Sequence, residues 1–179
     1  ARLFLATTLP YEKAMERCRT IRHLLSGGIF LGGALVILET ESGSREYVQE
    51  MEENGLSVLE RLKGRMGFRV LEYRWKKTLC KVTLLRPRSV AWSRAEEKEV
   101  TDCLLSGGIT GIRVFTEGNC LQVVSRRATK AEGAELVCKW LGIRSEDTVA
   151  AGDSDQDKGM QNLVKAAFCT HVAGTSHTG

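Results

Sequence analysis

Long apolar runs are missing from this 179-residue sequence. No stretch approaches the ~20 residues that a membrane-spanning helix requires, and no secretory leader pattern opens the chain, so no membrane partner is expected. An excess of one charge is missing too. Lysine and arginine number 26 against 22 aspartates and glutamates, for a net charge of +4, and the two signs are interspersed. Such mixing describes a solvated surface and gives no nucleic-acid footprint. The six cysteines (Cys18, Cys80, Cys103, Cys120, Cys138 and Cys169) form no CxxC pair and no cysteine-histidine cluster at zinc spacing. Set in apolar patterns, they read as small core residues of a reducing, cytoplasmic compartment. His23, His171 and His177 form no catalytic grouping. With only two prolines, turns must rest on glycine, and Gly27-Gly28, Gly32-Gly33 and Gly107-Gly108 mark them. No methionine opens the chain, which begins inside an apolar strand pattern and reads as starting partway into a domain.

What is present, 42% hydrophobic and 27% charged residues, suffices for a core and one or two domains. Residues 2–8 predict a buried strand, and Pro10 turns the chain into a helix expected over 11–25 and stopped by Ser26-Gly27-Gly28. Residues 29–38, interrupted by Gly32-Gly33, read as strand, tight turn and strand. This strand, helix, strand order predicts a parallel α/β layer. A polar linker is expected at 39–44 and a helix over 46–63, broken near Asn54-Gly55. Alternation at 68–75 and 79–85 predicts antiparallel strands with one wet face. Ser93-Arg94-Ala95-Glu96 fits a capping box for a helix to about 105, and 112–116 with 120–125 predict a hairpin. The organisation expected is α/β residues 1–43, an inserted α+β module at 44–125, and a return to the α/β layer at 126–179. Leu-Leu-Ser-Gly-Gly-Ile occurs at 24–29 and again at 104–109; each copy is read as a helix end before a strand, not as a repeat.

The chemistry concentrates in the last third. Thr148-Val149-Ala150-Ala151-Gly152 reads as a buried strand that empties into Asp153-Ser154-Asp155-Gln156-Asp157. Three aspartates within five residues repel one another, so they either lie open to water or are neutralised by a hard cation such as Mg²⁺. A calcium loop is the weaker match, since no glycine follows Asp157 and Val164 stands where a bidentate glutamate would belong. Upstream, Thr129-Lys130-Ala131-Glu132 is a second capping box, which places Lys130 at a helix N-terminus that already favours an anion. Arg126-Arg127, at the return from the inserted module, reads either as a solvated hinge or as a contact for a second anionic group.

Lys130-Ala131-Glu132-Gly133-Ala134 through Leu141-Gly142-Ile143, followed by Val149 to Gly152 and the loop from Asp153 to Asp157, resembles the haloacid dehalogenase superfamily. The likeness is to the branch with a large α+β cap, which includes Cof-type sugar phosphatases and sucrose-phosphate phosphatases. Leu5-Ala6-Thr7-Thr8-Leu9-Pro10 is similar to that family's threonine motif. The resemblance implies a Rossmann-like α/β core, truncated at its N-terminus, with the inserted module as cap. It implies a Mg²⁺-dependent phosphatase acting on a small phosphorylated metabolite, a sugar phosphate in the first instance, through an aspartyl-phosphate. By position, Asp153 matches the metal-binding aspartate and Asp157 the second acidic residue supporting the metal. Lys130 matches the lysine that neutralises nucleophile and phosphate, and Thr7 the hydroxyl that contacts a phosphoryl oxygen. Thr8, Ser154 and Arg126 complete the expected phosphate and substrate contacts. These types suit phosphoryl transfer, which needs positive charge on the equatorial oxygens. The family's nucleophile, an aspartate in an Asp-x-Asp motif before the threonine motif, has no counterpart in the sequence given, since Asp102 and Asp147 fall elsewhere. Gln156 replaces the usual asparagine, Gly32 stands where an asparagine is common, and Thr8-Leu9 stand where many catalytic members have Gly-Arg. A phosphatase-like binding or regulatory domain, as at the C-terminus of sucrose-phosphate synthases, is therefore the alternative.

Overall fold

The computed structural model of the chain describes residues 1–152 and 155–169. Its first sheet has strand order β1-β2-β3-β4, from β1 (Leu3–Ala6), β2 (Leu25–Phe30), β3 (Leu35–Thr40) and β4 (Gly43–Val48). β1 and β2 run parallel around α1 (Tyr11–Arg17), and the two later pairs are antiparallel. Residues 31–33 make the tight turn expected between two strands. A parallel pair of β9 (Val149–Gly152) and β10 (Ala166–Cys169) flanks α5 (Asp155–Gln161), and α4 (Lys130–Leu141) packs against β2, β3 and α5.

Two stretches depart from the sequence reading. The helix expected over 11–25 ends at Arg17, and Leu25 begins β2. Ile21, at helical spacing from Ala14 and Cys18, is 41% exposed; pairing of residues 25–30 with both β1 and β3 outweighs local helical spacing. The polar stretch at 39–44 is a hairpin turn, with Gly43 at φ 131°, and residues 43–48 are a strand instead of a helix start. The helix instead begins at Asn54, as α2 (Asn54–Met66), closed by left-handed Gly67.

The second sheet has order β5-β6-β8-β7 and is wholly antiparallel, from β5 (Arg69–Trp75), β6 (Thr78–Leu85), β7 (Ile112–Glu117) and β8 (Cys120–Ser125). One face carries Leu79, Val82, Leu84, Leu121 and Val123 against α2 and α3 (Arg94–Ser106). Each such buried side chain stabilises the fold by roughly 1.5–3 kcal/mol relative to exposure. Tyr73 faces Lys81 while Arg74 faces Leu79, so Cys80 is a bulge residue that turns toward a second cluster shared with the first sheet. There Tyr11 meets Phe30 and Trp75 edge-on at 5.2 and 5.4 Å. The five cysteines whose side chains are described, 18, 80, 103, 120 and 138, are free thiols.

Helix α3 starts with both halves of its capping box, Glu96 N–H donating to Ser93 Oγ and Ser93 N–H to the Glu96 carboxylate. Arg86, buried over the Trp92 ring at 3.8 Å, donates to the same carboxylate at 2.8 Å. The Arg86 guanidinium, with Ser93, pulls the Glu96 carboxyl from 4.5 down to about 2. A depressed folded-state value means that this contribution is complete above pH 4.5 and is lost as pH falls toward 2. Melting curves of Glu96→Gln beside the native protein should therefore differ near neutrality and converge over that acid window; parallel curves throughout would refute the linkage.

Candidate active site

β1, β2 and β9 deliver their carboxyl ends to one set of loops, the edge where α/β sheets gather ligands. After β1, Thr7 is held by its backbone, its N–H donating to Ile29 O at 2.8 Å and its carbonyl accepting from Gly32 N–H at 3.0 Å. Thr7 Oγ1 accepts from Leu9 N–H at 3.2 Å, which fixes the hydroxyl oxygen and leaves its proton to be donated outward. The turn after β2 bears the next close contact. Gly33 has φ +110°, and a Cβ there would stand 2.2 Å from the Thr129 carbonyl oxygen. Only glycine permits this approach. Thr129 in turn caps α4, its Oγ1 accepting from Glu132 N–H at 3.1 Å, and Lys130 follows as the first helical residue. Gly133 seats the same turn of α4 on Ile29, where a Cβ would come within 2.6 Å of Ile29 Cγ2.

Lys130 Nζ donates to Asp157 Oδ1 at 2.6 Å, with the residues 7% and 4% exposed. Asp157 lies against the end of β9, because a Cβ on Gly152 would fall 2.5 Å from its Cγ. Gly159 of α5 rests near the Ala131 methyl of α4. A continuous chain of contacts thus runs from Thr7 through Gly32-Gly33, Thr129 and Lys130 to Asp157 and Gly152. It brings Thr7, Lys130 and Asp157 to one edge. Asp153 and Ser154 lie outside the described residues, as do His171 and His177. Arg126 is exposed on the turn after β8, its N–H donating to Gly111 O, and Arg127 pairs with Glu132 at 3.5 Å. Asp102 and Asp147 are exposed and paired with Lys98 and Arg144. Trp75 donates its indole N–H to Glu46 at 2.8 Å and packs in the shared cluster as a core residue.

Two cations missed at sequence level reach these loops from the second sheet. Lys81 Nζ donates to Thr8 O at 3.4 Å, and Arg113 Nη2 donates to Ala128 O at 2.9 Å. Lys81 could have been noticed as a lone lysine inside the apolar run Leu79-Cys80-Lys81-Val82; Arg113 gave no such signal.

For Mg²⁺, the donor chemistry fits. A carboxylate, Asp157, is held at the end of β9 against Gly152, an oxygen donor of the kind a hard cation takes, while Asp153, next in the chain after Gly152, lies outside the described residues.

The family described as haloacid dehalogenase-like hydrolase matches residues 72–174. A phosphoglycolate phosphatase from Methanopyrus kandleri is 38% identical over 85 residues, which span 46% of this chain and 35% of that protein. Among solved structures, the sucrose-phosphatase from Synechocystis sp. PCC6803, determined with sucrose and phosphate, superposes with a TM-score of 0.68 at 15% identity. That match covers 93% of this chain and 68% of the other. A haloacid dehalogenase-like hydrolase from Bacteroides thetaiotaomicron gives 0.71 at 17% identity, over 91% and 73%. These likenesses establish the architecture: an α/β Rossmann-like core carrying an α+β module.

Proposed function

Since the chain belongs to the haloacid dehalogenase-like hydrolases, we propose that it serves a phosphomonoesterase acting on a small phosphorylated metabolite, a sugar phosphate in the first instance, with Mg²⁺ and through an aspartyl-phosphate. The observation that carries this reading is the buried Lys130–Asp157 pair at the end of β9, joined by backbone contacts to Thr7. Thr7 donates its hydroxyl proton to a phosphoryl oxygen. Lys130, at the α4 N-terminus, supplies a fixed positive charge, and the helix adds its own N–H groups. Asp157 holds the Lys130 ammonium in place. Asp153 and Asp157 would hold Mg²⁺, which supplies charge neutralisation at the phosphoryl oxygens when bound. Thr8, beside Thr7, and Ser154, next to Asp153 in sequence, complete the proposed phosphate contacts, while Arg126, exposed on its turn, has the weakest claim to a role.

The unit from α2 through β8 is proposed as the cap and the rest as core, which refines a division at residues 43 and 125 because β4 belongs to the first sheet. No helix among the described residues is long and apolar enough to cross a membrane, and the free thiols suit a reducing, cytoplasmic setting. One observation favours a second reading, a phosphatase-like binding domain: apart from Asp157, engaged by Lys130, no aspartate whose side chain is described reaches this edge.

Hydrolysis of an aryl phosphate by the full-length protein, with and without Mg²⁺, separates the two. Turnover that requires Mg²⁺ and is abolished by Asp153→Asn is expected. Activity retained by the variant removes Asp153 from the metal site, and phosphate binding without turnover by the native protein selects the binding domain.

A further inference from the structure

The face of the second sheet opposite α2 and α3 is built differently from the apolar one. Lys81 on β6 and Arg113 on β7 both pair with Val124 of β8, one from each side. The two cations therefore share a row and a face, about two strand spacings apart, or roughly 9–10 Å at the backbone. Thr83 and Gln122, next along the same face, are buried and bonded to each other at 2.5 Å.

Lys81 is 4% exposed, yet its ammonium, with three protons to donate, has among the described residues only the Thr8 carbonyl, at 3.4 Å, as hydrogen-bond partner, beside the Tyr73 ring at 5.6 Å. Arg113 stacks on Phe115 and uses Nη2 on Ala128 O, while its buried Nε has no hydrogen-bond partner among the described residues. Burial pushes the Lys81 ammonium below the usual lysine range, with Glu117 opposing and Arg113 reinforcing that shift. A buried cation left with spare donors is costly, and an anion that takes those donors relieves the cost.

The two carbonyl anchors place these cations. Thr8 adjoins Thr7, and Ala128 lies two residues before Lys130, so both cations are tethered beside the groups assigned to the phosphate. We propose that Lys81 and Arg113 form a clamp for a second anionic group of the substrate, a carboxylate set a few bonds from the phosphate, which makes the substrate a phosphorylated hydroxy acid or sugar acid in preference to a neutral sugar phosphate. The proposal rests on the phosphomonoesterase reading for its phosphate site and narrows its substrate. Arginine offers a planar fork that matches a carboxylate, and lysine adds a point charge from the other side. Unlike Arg126, both side chains are held inward by the sheet.

The test is a matched pair of esters, phosphoglycolate and 2-hydroxyethyl phosphate, which differ only in the carboxylate. With Mg²⁺ the native protein is expected to favour phosphoglycolate in kcat/KM by ~10-fold to ~100-fold, the scale of a charged hydrogen bond. Lys81→Met and Arg113→Met should each bring that ratio close to unity, and Lys81→Arg should keep most of it. Arg113 is only half-buried, so its variant carries the test if Lys81→Met does not fold. A native ratio near one, or variants that slow both esters equally, would reduce the two cations to a latch between the sheets and overturn the proposal. Calorimetric titration of the same esters separates the clamp from the chemistry. Preferential binding of phosphoglycolate without turnover sinks the phosphatase reading and keeps the clamp, whereas turnover of both esters with equal affinity keeps the phosphatase and sinks the clamp.

Discussion

Lys130→Met is expected to destabilise the protein by about 3–5 kcal/mol and to lower the proposed phosphatase activity by ~10²-fold to ~10³-fold. The two effects share one cause. Asp157 is 4% exposed and receives the Lys130 ammonium at 2.6 Å, and removing one member of a buried ion pair leaves the other charge in a medium that solvates it poorly. The same ammonium is the fixed cation of the proposed phosphate site, so turnover falls with it. Denaturant unfolding and aryl phosphate hydrolysis on the same preparations read the two losses. Adding Asp157→Asn to Lys130→Met should recover part of the stability, because the amide need not be kept charged, and none of the activity. A single variant that unfolds at the native midpoint and keeps its rate would deny Lys130 both roles.

Gly33→Ala is the second large effect, a loss of about 3–5 kcal/mol. A Cβ at this position would lie 2.2, 2.4 and 2.5 Å from the oxygen, carbon and nitrogen of Thr129, and the residue has φ +110°. Neither partner can give way, since one is the turn between β2 and β3 and the other is the cap of α4. Gly64→Ala, in the exposed body of α2 with nothing within 4 Å, is the contrast and should stabilise by about 0.5–1 kcal/mol. Comparing the two midpoints distinguishes close backbone approach from glycine content as such; equal shifts would mean that α4 does not press on the turn.

The parts of the fold governed by local chemistry are legible in the sequence. Ser93 and Thr129 announce their helices because a capping side chain acts within one turn. The alternation at 68–75 and 79–85 survives as antiparallel β5 and β6 with one face under helices, but the wet face expected of β6 is buried as well, Lys81 and Thr83 included. Lys130 and Asp157 were legible as residue types, and the fold supplies their 2.6 Å contact. What long-range pairing decides was not legible. The hexapeptide Leu-Leu-Ser-Gly-Gly-Ile shows this twice over. Its second copy ends α3 and turns, as its glycines propose. From Leu25 its first copy is strand β2, wedged between β1 and β3 so closely that a Cβ on Gly27 would stand 2.1 Å from Ile37 O. One sequence takes two conformations because neighbours, not propensity, settle the second. Lys81 and Arg113 were missed for a related reason: alternation tells which residues share a face, but not that another sheet's loops lie across from it.

The Cys80 bulge has a further consequence for anyone who would exchange parts within this architecture. By displacing one residue of β6, it points a thiol and the adjoining Tyr73 and Trp75 into the cluster that also takes Val124, Ala14 and Phe30. The seam between the sheets is therefore written on both sides. A chimera that transplants the second sheet onto a foreign core inherits half of a packed interface, and must bring the complementary Tyr11, Phe30 and Ala128 with it to avoid voids where the two surfaces meet.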